Sequence, residues 1–301
     1  MRERVYFWKR KNGYTMPFSG ILLLFIAALV IIGGGFAWWY YGVKLPAENK
    51  RLRQLALHQQ QADLASIASF YKKSLAGMDI PQAITILAEI RRNTLTMSAL
   101  GLAIKSERIV CDTLSCAFGF KLQPNAILTL PVIRFFDKTY PALVPVKREK
   151  DSAPINDFEY TKVALPYKES KLLKAWQSHS TLKLHSCNEI ISYVNSYNSL
   201  LTPARGNKGG NNGAIIYKSY PASAVKNKER GLAGQLNVRG LMSAAWEMQI
   251  NDESHAFYAR APEVNAQVAL YKQAYRDAFL IRTIELNDKG IKISGGLVCK
   301  A

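Results

Sequence analysis

The longest apolar pattern in the chain runs from Pro17 to Tyr41 without a charged residue. At 1.5 Å of rise per residue, about 20 apolar residues in a helix cross the hydrocarbon core of a bilayer. A cleaved signal peptide is the competing interpretation, but its apolar core would be shorter and would end in small residues. This run ends instead in four aromatic residues, which are typical of the belt at a membrane interface: Trp38, Trp39, Tyr40 and Tyr41. The pattern therefore predicts an uncleaved transmembrane helix at 17–43.

The charges that flank this run predict its orientation. The leader at 1–16 is basic, because it contains one acidic residue, Glu3, and five basic residues: Arg2, Arg4, Lys9, Arg10 and Lys11. Positive residues close to a span stay in the cytoplasm, so we expect a cytoplasmic leader and an external segment at 44–301. Basic residues between 44 and 53 weaken this asymmetry without reversing it.

A helical pattern follows directly at 44–78, rich in Leu, Ala, Gln, Lys and Arg. Its apolar residues recur close to heptad spacing, which is typical of a coiled-coil seam: Leu57, Leu64, Ile67, Tyr71 and Leu75. This helical stalk either pairs with another chain or packs on its own domain, and the pattern fits both. Gly77 is predicted to end the helix.

The rest of the chain repeats one order of elements. A helix opened by Pro81 precedes a strand pair at 104–122, and a helix opened by Pro262 precedes a strand pair at 279–299. Helices packed on antiparallel sheets define an α+β sandwich. We therefore predict an α+β fold beyond the stalk.

These units are predicted to form two ferredoxin-like domains, at 79–157 and 158–301, and the same elements also fit one larger sheet. The proline-rich stretch 138–157 is predicted to be a loop. The glycine-asparagine stretch 203–213 is another loop, since it lacks the Lys-Ser/Thr pair of a phosphate-binding loop. The other strands and helices are predicted at 159–164, 169–178, 181–186, 188–201 and 246–250.

All four cysteines follow the predicted anchor: Cys111, Cys116, Cys187 and Cys299. Outside the cytoplasm an even number favours two disulfides, with free thiols and zinc ligation as alternatives. Zinc is disfavoured because no Cys-x-x-Cys pair is present. Cys111 and Cys116 would face each other across a short hairpin, and if that pair is local, Cys187 and Cys299 remain as partners.

The formal net charge of +18 admits three interpretations. A basic chain binds nucleic acid, binds anionic lipid or an acidic polymer, or has a solvated basic surface. The basic residues are scattered rather than arranged in a stripe, and an external domain would not meet nucleic acid. We therefore favour the solvated surface and expect no nucleic-acid partner.

The sequence contains no recognisable catalytic constellation. It lacks Gly-x-Ser-x-Gly, His-Glu-x-x-His and a Gly-x-Gly-x-x-Gly motif after a strand. His185 and Cys187 lie two residues apart without an orienting acid, and Asp252 with Glu253 fits a solvated turn. His58, His179 and His255 likewise stand among surface-type residues. We expect no enzyme activity, no cofactor and no metal.

The whole layout resembles the bitopic inner-membrane accessory proteins of type IV pilus and type II secretion machines, the PilN/PilO/GspM group. The tail IELNDKGIKISGGLVCK is similar to the strand–turn–strand that closes such domains. The segment IVCDTLSCAFGF is similar to a cysteine hairpin in the first domain, and the paired cysteines most resemble the PilO-type proteins of type IVb pili.

The resemblance implies a non-enzymatic scaffold in the bacterial inner membrane, with a periplasmic domain. It implies a homodimer or heterodimer through the stalk, which links the cytoplasmic motor platform to the outer-membrane secretin. A bitopic subunit of a conjugation or type IV secretion channel is the alternative function. A membrane-anchored envelope enzyme is a third.

Overall fold

The computed structural model describes residues 6–9, 15–99, 104–122, 131–144, 157–166, 168–201, 212–232, 234, 236, 238–251 and 262–301. For residues 6–9, 15–21 and 98–99 it describes the backbone alone. The chain divides into two compact units, Met1–Ala65 and Ser66–Ala301.

The first unit consists of a short hairpin and a long helix. Strand β1 (Tyr6–Lys9) pairs antiparallel with β2 (Thr15–Pro17). Helix α1 (Phe18–Trp39) continues through a π-helical segment (Tyr40–Lys44) into α2 (Leu45–Leu75). The part of α2 from Ser66 onward belongs to the second unit.

Helix α1 exposes its large apolar side chains from Leu22 to Trp39. Such a surface is unfavourable in water and suits a lipid environment. Within the described residues, this is the one helix that is long and apolar enough to cross a membrane. Helix α1 begins one residue after the predicted start of the span and passes residue 43 without a break, so the predicted end of the span at residue 43 stays a prediction.

The second unit is built on one antiparallel sheet of seven strands. The spatial order of the strands is β7–β4–β3–β10–β11–β9–β8, and each neighbouring pair is antiparallel. The strands are β3 (Ile104–Cys111), β4 (Ser115–Leu122), β7 (Asp157–Ala164), β8 (Ile215–Tyr217), β9 (Leu241–Asn251), β10 (Phe279–Asn287) and β11 (Gly290–Lys300). A separate short hairpin joins β5 (Ile133–Phe135) to β6 (Lys138–Tyr140).

Helices cover one face of this sheet. Helices α3 (Ile80–Ala99), α5 (Cys187–Leu201) and α7 (Pro262–Tyr271) contribute to the main core together with alternate strand residues such as Phe279 and Ile281. The side chain between them, Leu280, belongs to a second buried cluster, because successive residues of a strand face opposite sides. Two short helices complete the unit, α4 (Lys171–Gln177) and α6 (Lys226–Gly231).

The two helix–strand–strand repeats join at the centre of the sheet. The first strands of the repeats, β3 and β10, pair antiparallel, with Cys111 opposite Ile284 and Ile109 opposite Leu286. The prediction of a mixed helix and sheet structure with antiparallel strands is confirmed. The predicted domain boundary at 157–158 needs correction. Strand β7 begins at Asp157, so it spans this boundary, and it pairs with β4 of the predicted first domain. A single sheet therefore replaces the two predicted domains.

Both predicted disulfides are present, Cys111–Cys116 and Cys187–Cys299. The first links opposite residues of β3 and β4 across their turn. The second joins the start of α5 to the end of β11, and its cysteines are 112 positions apart in sequence.

Several local predictions differ from the structure. The alternating stretch at 181–186 forms no strand, because its apolar residues Leu182 and Leu184 pack against the second cluster and only Ser186 bridges to the sheet, at Lys300. The loop predicted at 138–157 begins instead with β6. The glycine-asparagine loop lies outside the described residues as far as residue 211.

Candidate functional site

No catalytic or metal-binding cluster is found in the part of the chain that the structure describes. No group of three His, Cys, Asp or Glu side chains there is suitable for a metal ion. His58 and His179 are exposed, and the exposed His185 ring contacts Tyr275. His255, Asp252 and Glu253 lie outside the described residues.

The most elaborate polar arrangement surrounds the end of α2, where the helix enters the sheet unit. Three α2 residues, Ile67, Tyr71 and Leu75, are buried in the second cluster. We call this cluster the helix socket; its other members are Leu172, Leu173, Val225, Leu241, Leu280 and Val298. They come from α4, from the residue before α6 and from β9, β10 and β11.

A buried tyrosine–carboxylate pair lies at one side of the helix socket. Tyr71 donates its hydroxyl hydrogen to Glu229 Oε1 at 2.8 Å, and Gly240 N–H donates to Glu229 Oε2 at 3.2 Å. Leu241 N–H donates to the tyrosine oxygen at 3.4 Å. Burial raises the pKa of Tyr71, and the hydrogen bond and charge of Glu229 raise it further. The pair therefore holds Tyr71 as a neutral donor between α2 and the start of β9.

The carbonyl end of α2 is satisfied by two side chains from distant elements. Arg282 donates from Nη2 to Lys73 O at 2.8 Å and from Nε to Ala76 O at 3.2 Å. Ser170 donates its hydroxyl to Leu75 O at 2.7 Å and accepts from Leu173 N–H at 3.1 Å. A positive charge at a helix C-terminus also interacts favourably with the helix dipole. Burial lowers the pKa of Arg282.

Two glycines make this arrangement sterically possible. Gly77 follows α2 with φ +148°, and a Cβ there would lie 3.0 Å from Ile281 O. A Cβ on Gly296 would lie 2.8 Å from Arg282 Nη2, so the glycine leaves space for the guanidinium. The prediction that α2 ends before Gly77 is confirmed by its last residue, Leu75.

The structure divides the predicted stalk seam. Ile67 and Tyr71 are buried inside the second unit, at 4% and 0% exposure, whereas Leu57 is 58% exposed and Leu64 is half-buried. The C-terminal part of the stripe, which includes Ile67 and Tyr71, is therefore the contact of α2 with its own domain. Of the predicted interface aromatics, Trp38 is 73% exposed and Tyr41 69%, while Trp39 and Tyr40 lie within 6 Å of Lys44 Nζ.

The socket residues Glu229, Arg282 and Ser170 were not identifiable as a site from the sequence. The one available signal was the position of Arg282, a charged residue within an apolar strand pattern. Glu229 occurs in the run KNKERG, which is typical of a solvated surface. Chemically, these groups donate and accept hydrogen bonds, and they position a helix end.

Comparison with protein-family models, with curated proteins and with solved structures finds no match for this chain. The class of the protein therefore rests on its own residues: an α+β unit on one antiparallel sheet, preceded by one candidate membrane-spanning helix.

Proposed function

We propose that the protein is a non-enzymatic scaffold anchored in a membrane by one helix. The observation that carries this proposal is the helix socket, where buried residues and backbone caps fix the end of α2 into the sheet unit. Side chains that cap and bury a helix end in this way have a structural role, which supports a scaffold.

The proposed location is the bacterial inner membrane, with a cytoplasmic leader and a periplasmic sheet unit. The basic leader supports this orientation through the preference of positive residues for the cytoplasm. The two disulfides support it as well, because disulfides persist in oxidising compartments such as the periplasm.

The proposed machine is a type IV pilus or type II secretion assembly, as the resemblance to the PilN/PilO/GspM group implies. The α+β sheet unit with its helix–strand–strand repeats is the coarse pattern on which the ferredoxin-like interpretation rests. Pairing through a coiled-coil stalk is supported by exposed leucines on α2, because contact with a second helix would remove their apolar surface from water: Leu45, Leu52, Leu55 and Leu57.

Fractionation and protease protection test the proposed topology. Intact cells are expected to yield the protein in the inner-membrane fraction, resistant to alkaline carbonate extraction. Protease added to spheroplasts is expected to digest the sheet unit, while the leader stays protected. A protein recovered in the cytosol with four titratable thiols would overturn the anchor and the disulfides together.

Crosslinking in the cell tests the scaffold role. Leu57→Cys on the exposed part of α2 is expected to yield a covalent dimer if two stalks pair. The native cysteines are all paired, so they do not compete for the new thiol. Lys121→Cys, on an exposed position of β4, is the matched control and should remain monomeric. Pilus-platform or secretin-associated proteins should then co-purify with the crosslinked dimer. Recovery of a conjugation core complex in their place would favour the alternative, and recovery of neither would contradict both assemblies.

A further inference from the structure

An open groove lies between α5 and the segment that precedes β10, away from the helix socket. It is shallow and widely open to solvent. We call it the α5 groove; the residues that matter for its chemistry are Asn188, Glu189, Ser192, Tyr193, Ser196 and Tyr275.

The aromatic wall of the α5 groove is held rigidly. The ring of Tyr275 lies between those of Tyr193 and His185, with centroids 5.3 Å and 4.8 Å away. The hydroxyl of Tyr193 donates to Gln273 Oε1 at 3.0 Å and accepts from Ala274 N–H at 3.1 Å. The disulfide at Cys187 fixes the first turn of α5 to the sheet. Sites on such rigid elements bind without a large ordering cost.

Along α5 the groove is also lined by exposed polar side chains. Ser192 and Ser196 are exposed along α5, and the carboxylate of Glu189 is exposed beside them. Asn188 accepts from Tyr220 OH at 2.6 Å through Oδ1, which leaves its amide N–H groups free to donate. The groove lining thus combines donors and acceptors with the two tyrosine rings.

The α5 groove is also unusual in its charge. The chain has 40 Lys and Arg residues, yet none occurs between Lys183 and Arg205. The nearest cation after Tyr275 is Arg276, whose guanidinium is bound to Tyr271 O at 2.6 Å and Gln273 O at 3.3 Å and stacks on the Tyr271 ring. A phosphate or other anionic ligand would therefore find no free cation in the groove lining.

We propose that the α5 groove binds a neutral saccharide chain. A pyranose ring has an apolar C–H face that packs on an aromatic ring, and hydroxyls that pair with short polar side chains. The groove offers both, through the rings of Tyr275 and Tyr193 and through the polar side chains of Asn188, Glu189, Ser192 and Ser196. A docked peptide would need aliphatic surface for its side chains, and Ala274 is the one aliphatic residue in this lining. The proposal does not depend on the scaffold role or on the compartment.

Calorimetric titration of the full-length protein tests this proposal. Nanodiscs of phosphatidylcholine are required, because sugar-based detergents would compete for the groove. The probes are hexamers of N-acetylglucosamine and of glucose, which separate an amino-sugar ligand from a plain hexose ligand. Native protein is expected to bind at least one of them, and binding of neither hexamer would overturn the proposal.

Three variants connect binding to the α5 groove. Ser192→Arg is expected to abolish binding, because the exposed position projects the larger side chain into the groove. Tyr275→Leu should weaken binding by about 3-fold to 10-fold, which matches the usual worth of an aromatic contact, and Tyr275→Phe should keep it. Ser192→Arg is a surface change, so it remains informative if Tyr275→Leu fails to fold.

The matched control is Ser199→Arg, two turns further along α5 and outside the groove lining. It adds the same charge to the same helix and is expected to bind like the native protein. Unchanged binding by Ser192→Arg, or an equal loss in Ser199→Arg, would overturn the assignment of the groove.

Discussion

At the scale of single residues, the buried pair of Tyr71 and Glu229 fixes α2 most specifically. The carboxylate of Glu229 is 4% exposed, and its two oxygens are bound by the Tyr71 hydroxyl and by Gly240 N–H. A buried carboxylate that loses a donor retains the cost of its desolvation, so the pair is sensitive to removal of a single atom.

Tyr71→Phe is expected to lower the free energy of unfolding by about 1–3 kcal/mol, because it leaves Glu229 Oε1 without its donor. Urea unfolding of the full-length protein in micelles, followed by tryptophan fluorescence, measures the change. Tyr271→Phe is the matched control at a 65% exposed ring, where surface changes remain within about 0.5 kcal/mol. If the two variants are equally stable, the pair of Tyr71 and Glu229 does not stabilise the helix socket.

Asp79, which begins the turn before α3, makes stability depend on pH. Burial raises the pKa of Asp79, and the Lys171 N–H that donates to Oδ2 lowers it in part. A raised pKa means that the folded state prefers the neutral acid. The contribution of Asp79 to stability is therefore fully present below the unfolded pKa of about 3.9 and is lost as pH rises through the folded pKa.

Asp79→Asn is accordingly expected to gain stability relative to the native protein as the pH rises toward 7, because the half-buried native carboxyl group must then ionise. The advantage should shrink as the pH falls and the native acid is protonated. Melting temperatures of both proteins between pH 4 and pH 7 test this, with the exposed turn residue Asp288→Asn as a control for the loss of one negative charge. An advantage that grows toward acid pH would contradict the direction of the pKa shift.

At the scale of elements, the two disulfides differ in what they constrain. Cys187–Cys299 ties α5 to β11 across 112 positions, whereas Cys111–Cys116 closes a separation of 5. In the chain-entropy model a crosslink stabilises by restricting the unfolded chain, and the restriction grows with the length of the closed loop.

Replacing Cys187 and Cys299 together by serine is expected to cost about 5 kcal/mol, and replacing Cys111 and Cys116 about 2 kcal/mol. Thermal unfolding of both double variants beside the native protein measures the difference. Equal losses would show that loop length is not the controlling quantity. Identical melting of native protein with and without reducing agent would show that neither bond contributes.

Arg282 of β10 caps the C-terminal end of α2 and so connects these two elements. Arg282→Ala removes donors from the carbonyls of Lys73 and Ala76, and hydrogen bonds of charged groups contribute about 1.5–3 kcal/mol each. Arg282→Lys keeps the charge but not the planar fork, so an intermediate loss of unfolding free energy is expected. Chemical denaturation ranks the three proteins, and an alanine variant as stable as the native protein would refute the cap.

The elements that the sequence predicted well are those with local patterns. Helical and alternating periods located α3, β3 and β10, whose apolar residues pack in the main core. The helical period located α7 as well, but Val268 and Tyr271 of its apolar stripe are exposed, and Ala266 and Leu270 face the core instead. Alternation failed at 181–186, where the two leucines contact the helix socket without a pairing strand.

The helix socket could not be predicted for a different reason. Tyr71 and Glu229 are 158 positions apart, and Arg282 and Lys73 are 209 apart. A polar residue in a single sequence carries no sign of a partner at such distances. The cysteines were easier, because their even number and the hairpin between two of them restricted the choices.

At the scale of the whole molecule, the two units differ in the burial of their apolar residues. The first exposes an apolar helix suited to lipid, and the second buries its apolar residues around one sheet. The two predicted domains became one unit because β3 and β10, the first strands of the two repeats, pair at the centre. A repeat in sequence shows that two halves are alike and leaves open whether their strands pair.

The position of β11 determines the order in which this sheet assembles. Gly290–Lys300 lies between β10 and β9, so β9 has no route into the sheet before those residues arrive. During refolding, amide protons of β9 are expected to gain exchange protection together with those of β11, and protection of β9 ahead of β11 would contradict this order. The pair of β8 and β9 must wait, with one edge exposed and prone to aggregation, for a segment near residue 300, whereas β7, β4, β3 and β10 pair without it; such long-range closure is slow.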